Sequence, residues 1–164
     1  MDPVHFTGWE VHEMAIKIEE NGMRYYTDAS RAAKTRKLKD LFKMLADEEG
    51  KHGKVFLELK KLVPEDEKAA GFDPYITEAS LYLRAIADTE VFTKPGEGKK
   101  LGYNAKDEKE ALAVAIDMEK DSILFYYELQ KMIREKDRKV LDALIDQEKE
   151  HLKKLSSMRQ DIFA

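Results

Sequence analysis

The run Leu45-Ala46-Asp47-Glu48-Glu49-Gly50-Lys51-His52 returns 99 residues later as Leu144-Ile145-Asp146-Gln147-Glu148-Lys149-Glu150-His151, and this recurrence decides the fold. Each run holds Glu-x-x-His, and three residues along a helix bring both side chains to one face. Upstream, Ala15, Ile16, Glu19 and Tyr26 return at an offset of 100 as Ala115, Ile116, Glu119 and Tyr126. The one-residue difference falls in the turn of each half, where a deletion is tolerated. Two similar helical hairpins are therefore expected, at about 8–63 and 107–162.

Working outward from the repeats gives the helices. Thr7 and Glu10 have capping-box spacing, so the first helix is expected from about Gly8 to Ala33. Val11, Ala15, Ile18, Gly22 and Tyr25 keep its stripe on one side. The second runs from Arg36 to Val63 and is closed by Pro64. Asp107 and Glu110 open the third, which continues to about Glu135, and a turn at Lys136 and Asp137 leads to a fourth ending near Ile162. Between the hairpins, about 64–106, Pro and Gly residues flank a shorter helix from Thr77 to about Phe92. A connection of this size can carry the chain from one end of a bundle to the other. The expected fold is an all-α, four-helix bundle in one domain, 1–164, with a long crossover containing a short extra helix.

Composition narrows the function. Charged residues make up 38% of the 164-residue chain, above the usual value of about 25%, yet the net charge is only −4. Acidic and basic residues in near balance argue against nucleic acid as a partner. Cysteine is absent, which excludes thiolate metal sites, iron–sulfur clusters and thiol nucleophiles within this chain. Met1 to Trp9 lacks a basic segment followed by an apolar run, and no stretch of about 18 apolar residues occurs. A soluble cytoplasmic protein without a membrane partner is expected.

The repeats also carry the chemistry. Glu19 and Glu119 lie in apolar stripes, where a carboxylate is costly unless paired, hydrogen-bonded or bound to metal. With Glu49, His52, Glu148 and His151 they would place four carboxylates together, and protonation or cations must offset the repulsion. Two metal ions meet that need, and Glu oxygen with neutral His nitrogen suits iron or manganese. A buried ion-pair network is the alternative, but it needs more cationic partners than the stripes supply. Tyr26 and Tyr126, seven residues after Glu19 and Glu119, share their helix face. They are candidates to hydrogen-bond the ligand carboxylates or pass electrons, or else pack as core. Tyr25, Phe125, Met44 and Met118 read as core, and His5 and His12 as surface or capping residues. Glu20, Glu48 and Glu150 point elsewhere on their helices, and Glu90 is solvated.

At these residues the sequence resembles the ferritin-like di-iron carboxylate proteins, above all the rubrerythrin group. The likeness covers nearly the whole chain, including Tyr82-Leu83-Arg84-Ala85-Ile86-Ala87 and Val91-Phe92. It implies that Glu19 and Glu119 are terminal carboxylates, that Glu49 and Glu148 bridge two iron ions, and that His52 and His151 each cap one. It implies reduction of hydrogen peroxide or dioxygen, and a homodimer. Two departures stand out. The usual rubrerythrin has a cysteine-rich rubredoxin domain, so electrons here must come from an external donor such as a rubredoxin. The usual second carboxylate three residues after the third-helix Glu is replaced by Ser122, with Gly22 at the equivalent place in the first half. The six-ligand set that remains is closer to that of bacterioferritin, and these two small residues are expected to leave room for an oxidant. Ferritin-type iron oxidation and storage, or a metal-stabilised scaffold without turnover, are the alternative functions.

Overall fold

The computed structural model describes residues 8–64, residue 85 and residues 107–163. Four long helices account for nearly all of them: α1 (Gly8–Ala32), α2 (Arg36–Lys61), α3 (Glu108–Met132) and α4 (Arg138–Phe163). Among the described residues there is no strand. The crossover and its short helix expected near 64–106 lie outside the described residues, apart from Pro64 and Ala85, as do Thr7, His5 and Glu90.

Local chemistry explains the helix ends. Asp107 caps α3 by accepting a hydrogen bond from the Glu110 N–H at 2.9 Å, which satisfies one of the orphan donors of the first turn. Thr35 precedes α2 without using its side chain as a cap. Glu108 of α3 serves that corner instead, its Oε1 accepting from the Lys34 and Thr35 N–H groups at 2.7 and 3.0 Å. The third helix stops at Met132, three residues before the expected end, because Ile133 turns extended. A 3₁₀ turn at Glu135–Asp137 follows. Arg134 fixes this corner by donating to Asp137 Oδ2 at 2.7 Å and to the Leu62 carbonyl at 2.6 Å.

These contacts set the directions of the helices. Three residues join α1 to α2, which pack along their length, and Lys60 at the far end of α2 meets Glu13 and the Trp9 ring near the start of α1. The pair is an antiparallel hairpin, as is α3 with α4, where Gln130 bonds Asp142. Glu108 reaches the α1–α2 corner, and Arg134 reaches Leu62 at the opposite end of the bundle. Helix α1 is thus antiparallel to α3, and α2 to α4, whose ends Lys37 and Asp161 tie. The end of α2 and the start of α3 lie at opposite ends of the bundle.

The apolar stripes meet in a core built from Leu38, Phe42, Leu45, Phe56, Leu112 and Leu129, with Tyr25, Tyr26, Phe125 and Tyr126 among its largest side chains. Each large apolar side chain so buried contributes about 1.5–3 kcal/mol relative to exposure. Tyr26 stacks on Phe42 with centroids 5.9 Å apart, and Tyr126 lies 5.0 Å from Phe56. Met118 is buried with them, and Met44 packs at the edge. The Tyr25 hydroxyl donates to the Ala111 carbonyl at 2.7 Å, joining the two hairpins.

Candidate metal centre

All six side chains singled out by the repeat point into the middle of the bundle, and their exposure lies between 0 and 5%. Each helix supplies its part: Glu19 from α1, Glu49 and His52 from α2, Glu119 from α3, Glu148 and His151 from α4. Glu19, Glu49, His52 and Glu148 each offer one donor atom within 4.8 Å of the others. So do Glu49, Glu119, Glu148 and His151. Glu49 and Glu148 belong to both sets. Two four-residue sites sharing two carboxylates is the arrangement that holds a pair of ions side by side.

The two histidines face the shared carboxylates. Their rings stack with centroids 5.5 Å apart and planes 16° from parallel. His52 Nδ1 lies 2.8 Å from Glu148 Oε1 and 3.5 Å from Glu19 Oε2. His151 Nδ1 lies 3.0 Å from Glu148 Oε2, 3.3 Å from Glu49 Oε1 and 3.6 Å from Glu119 Oε2. The far nitrogen of His52, Nε2, sits 3.0 Å from Gln147 Oε1. A proton held there leaves Nδ1 with a lone pair directed at the carboxylates, the tautomer that a metal requires.

Four buried atoms at the centre have no hydrogen-bond partner: Glu19 Oε2, Glu49 Oε1, His52 Nδ1 and Glu148 Oε1. His52 Nδ1 and Glu148 Oε1 are close but not aligned for a hydrogen bond. Buried polar atoms are seldom left in this state. Four such atoms from four different residues, all oxygen or nitrogen donors in one dry place, fit cation ligands.

The protonation of the centre without metal tells the same story. Burial pushes the Glu19 carboxyl well above the ordinary carboxylate range, and the neighbouring Glu49 and Glu148 push it further. Glu119 is raised for the same reasons, burial first and then Glu148 and Glu49. Burial works against ionisation of Glu148 too, yet the imidazoles of His151 and His52 hold it well below its usual range. Burial would lower both histidines, but the carboxylates around them win. His52 is raised to about 9 by Glu148 and Glu49, and His151 to about 12 by Glu119, Glu148 and Glu49. Protons thus stand in for the positive charge that four buried carboxylates demand.

The tyrosines cross between hairpins. Tyr26 donates to Glu119 Oε1, and Tyr126 donates to Glu19 Oε1. Each hydroxyl therefore holds the lone carboxylate of the opposite half, which sequence spacing within one helix did not specify. Burial raises the Tyr26 hydroxyl well above its ordinary value, as do Glu119 and Glu49, so it stays a donor.

Other expectations need correction. Glu48 does not turn away from the centre: it is half-buried, and its carboxylate lies within 4.8 Å of donor atoms of both His52 and His151. A bond from Lys51 at 2.6 Å lowers its pKa. Glu20 and Glu150 are exposed as expected. His12, read as a surface or capping residue, is buried. Gly22 leaves no room for an oxidant, because a Cβ there would lie 3.3 Å from Glu49 Oε2: the carboxylate already fills the space. Ser122 is buried on α3. Gln147 was missed altogether. The only signal for it was its place before Glu148, where the first repeat has Glu48 before Glu49.

The comparisons agree with this geometry. No match was found among curated proteins. A crystal structure of a protein from Thermotoga maritima, described as a ferritin-like diiron-carboxylate protein, is similar over 95% of this chain and 96% of its own, with 33% identity and a TM-score of 0.72. The rubrerythrin family model matches residues 10–159. Among the described residues no helix is long and apolar enough to cross a membrane. With that match taking in all four helices and the six clustered side chains, the chain belongs to the rubrerythrin family and has a ferritin-like, all-α fold.

Proposed function

We propose that the protein holds two iron ions between Glu19, Glu49, His52, Glu119, Glu148 and His151 and uses them to reduce hydrogen peroxide or dioxygen. The sharing of Glu49 and Glu148 between the two donor sets carries this reading. Two iron ions so held would supply the two electrons that break an O–O bond. Manganese suits the same donors, and a mixed pair is the variant reading.

The chain's own contribution is positional. Glu49 and Glu148, common to both donor sets, would each serve both ions, and Glu19 and Glu119 would each serve one. The Tyr26 and Tyr126 hydroxyls hold the outer oxygens of Glu119 and Glu19, leaving the inner oxygens free to bind. Gln147 holds the His52 ring. Phe42, Phe56 and Phe125 surround the tyrosines and keep water away, which strengthens every charge interaction inside. By likeness to the family, the electrons are assigned to a separate donor of the rubredoxin kind, and the assembly to a homodimer.

One anaerobic experiment tests the reading. The protein is loaded with ferrous ion, mixed with peroxide or oxygen, and followed by absorbance against protein concentration. Two irons oxidised per chain, re-reduced and cycled, are the expected result, with a dimer in solution. Hundreds of irons accumulated by a large cage would establish storage instead. A metal-dependent fold without oxidation would leave a scaffold.

A further inference from the structure

Gly50 and Gly53 lie one turn apart on α2, on the side that meets α1. A Cβ at Gly50 would sit 3.3 Å from Met23 Sδ, and one at Gly53 would sit 3.4 Å from the Glu19 Cβ. The halves of the chain differ here, because the matching positions on α4 are Lys149 and Leu152. Between α1 and α2 a recess of about 300 Å³ opens beside these glycines, with Met23 and Leu57 among its walls. It has room for several molecules the size of water.

Both ends of the recess are defined by side chains. Leu57 is 43% exposed, so the outer end meets solvent. Glu19 and Glu49 line the inner end, and just behind it Glu19 Oε2 and Glu49 Oε1, buried and without a hydrogen-bond partner, lie 3.5 and 3.3 Å from His52 Nδ1 and His151 Nδ1. The wall between is largely apolar, and the exposed charges beside it, Glu20 and Lys54, are of opposite sign. A hydrated cation would lose its water in such a passage with no run of carboxylates to replace it. A small uncharged molecule meets no such barrier.

We propose that this recess is the passage by which a small uncharged oxidant containing an O–O bond reaches the Glu19 and Glu49 side of the centre. The inference rests on the redox reading above and adds a face of entry to it. The face of entry is the α1–α2 hairpin, where α2 carries glycine at the positions that are Lys149 and Leu152 on α4.

Two variants narrow the recess, L57W at its outer end and G50L in its wall. Gly50 faces the flexible end of Met23, and a helical glycine gains helix propensity on replacement, so both variants are expected to fold. In stopped-flow mixing of the reduced, iron-loaded protein with hydrogen peroxide, the second-order rate constant should fall at least tenfold in both, with two metal ions still bound per chain. Wild-type rate constants in both variants would overturn the passage and leave the redox reading standing. A second measurement needs no redox activity. In the metal-free protein, hydrogen peroxide transfers one oxygen to the Met23 thioether and leaves water. Peptide mass spectrometry should find Met23 oxidised at least fivefold faster than the buried Met118, and at least fivefold more slowly in L57W than in wild type. Equal Met23 rates in L57W and wild type would overturn the passage even if the loaded protein proves inert.

Discussion

At the scale of single residues, the shared and unshared carboxylates should behave differently. Glu49→Gln or Glu148→Gln alters a group common to both donor sets and should abolish binding of both ions, whereas Glu19→Gln or Glu119→Gln should weaken one. Metal content after gel filtration, measured by elemental analysis, separates the two patterns, and equal losses in all four would refute the sharing. Tyr126→Phe keeps the ring against Phe56 and removes only the hydroxyl that holds Glu19. Losing such an outer partner costs about 10–100-fold in metal affinity. Gln147→Leu should cost a similar factor at the His52 side, read by calorimetric titration with manganese. The six central residues were legible because they repeat. Gln147 and Glu48 were not, because at matching positions they differ in charge, and which ring a flanking side chain meets depends on how α2 and α4 face each other.

At the scale of helices, the α1–α2 hairpin is built around glycine. Gly22→Val should push the Glu49 carboxylate aside, since a Cβ at that position already comes within 3.3 Å of it. The expected outcome is a folded, helical protein by circular dichroism that binds less than one metal ion per chain; full loading would show that Glu49 can give way. The helix bounds were largely legible from caps and stripes, with α1, α2 and α4 ending within two residues of expectation. The end of α3 was not. Beyond its break at Met132, Arg134 bonds the Leu62 carbonyl, a partner 72 residues away in the chain that no local pattern announces.

At the scale of the molecule, the centre couples metal, pH and stability. Ion at 100 times its dissociation constant stabilises a folded protein by about 2.7 kcal/mol per site, and a chain of this size gains about 2–4 °C per kcal/mol. Metal loading should therefore raise the melting temperature by roughly 5–10 °C for each ion bound, and scanning calorimetry with and without a chelator measures it. In the metal-free protein the sign of the pH dependence follows from His52. Its folded pKa of about 9 lies above the ordinary 6.5, so its contribution is fully present below pH 6.5 and lost as pH rises through 9. Glu19 and Glu119, also raised, act in the same direction. The metal-free protein should lose thermal stability between about pH 6.5 and 9, and metal should remove that loss. A flat profile without metal would contradict the protonation described.

Two similar helical hairpins and the six side chains that face inward are legible in the chain alone, because helical periodicity and an internal repeat are local properties. The company those side chains keep is not legible there. Packing of the four helices sets Tyr26 on Glu119 and Tyr126 on Glu19, brings Glu49 against Gly22, and leaves a recess lined by Gly50 and Gly53. The physical reason is that a helix fixes the direction of a side chain relative to its own axis, whereas its neighbours depend on how four axes pack together.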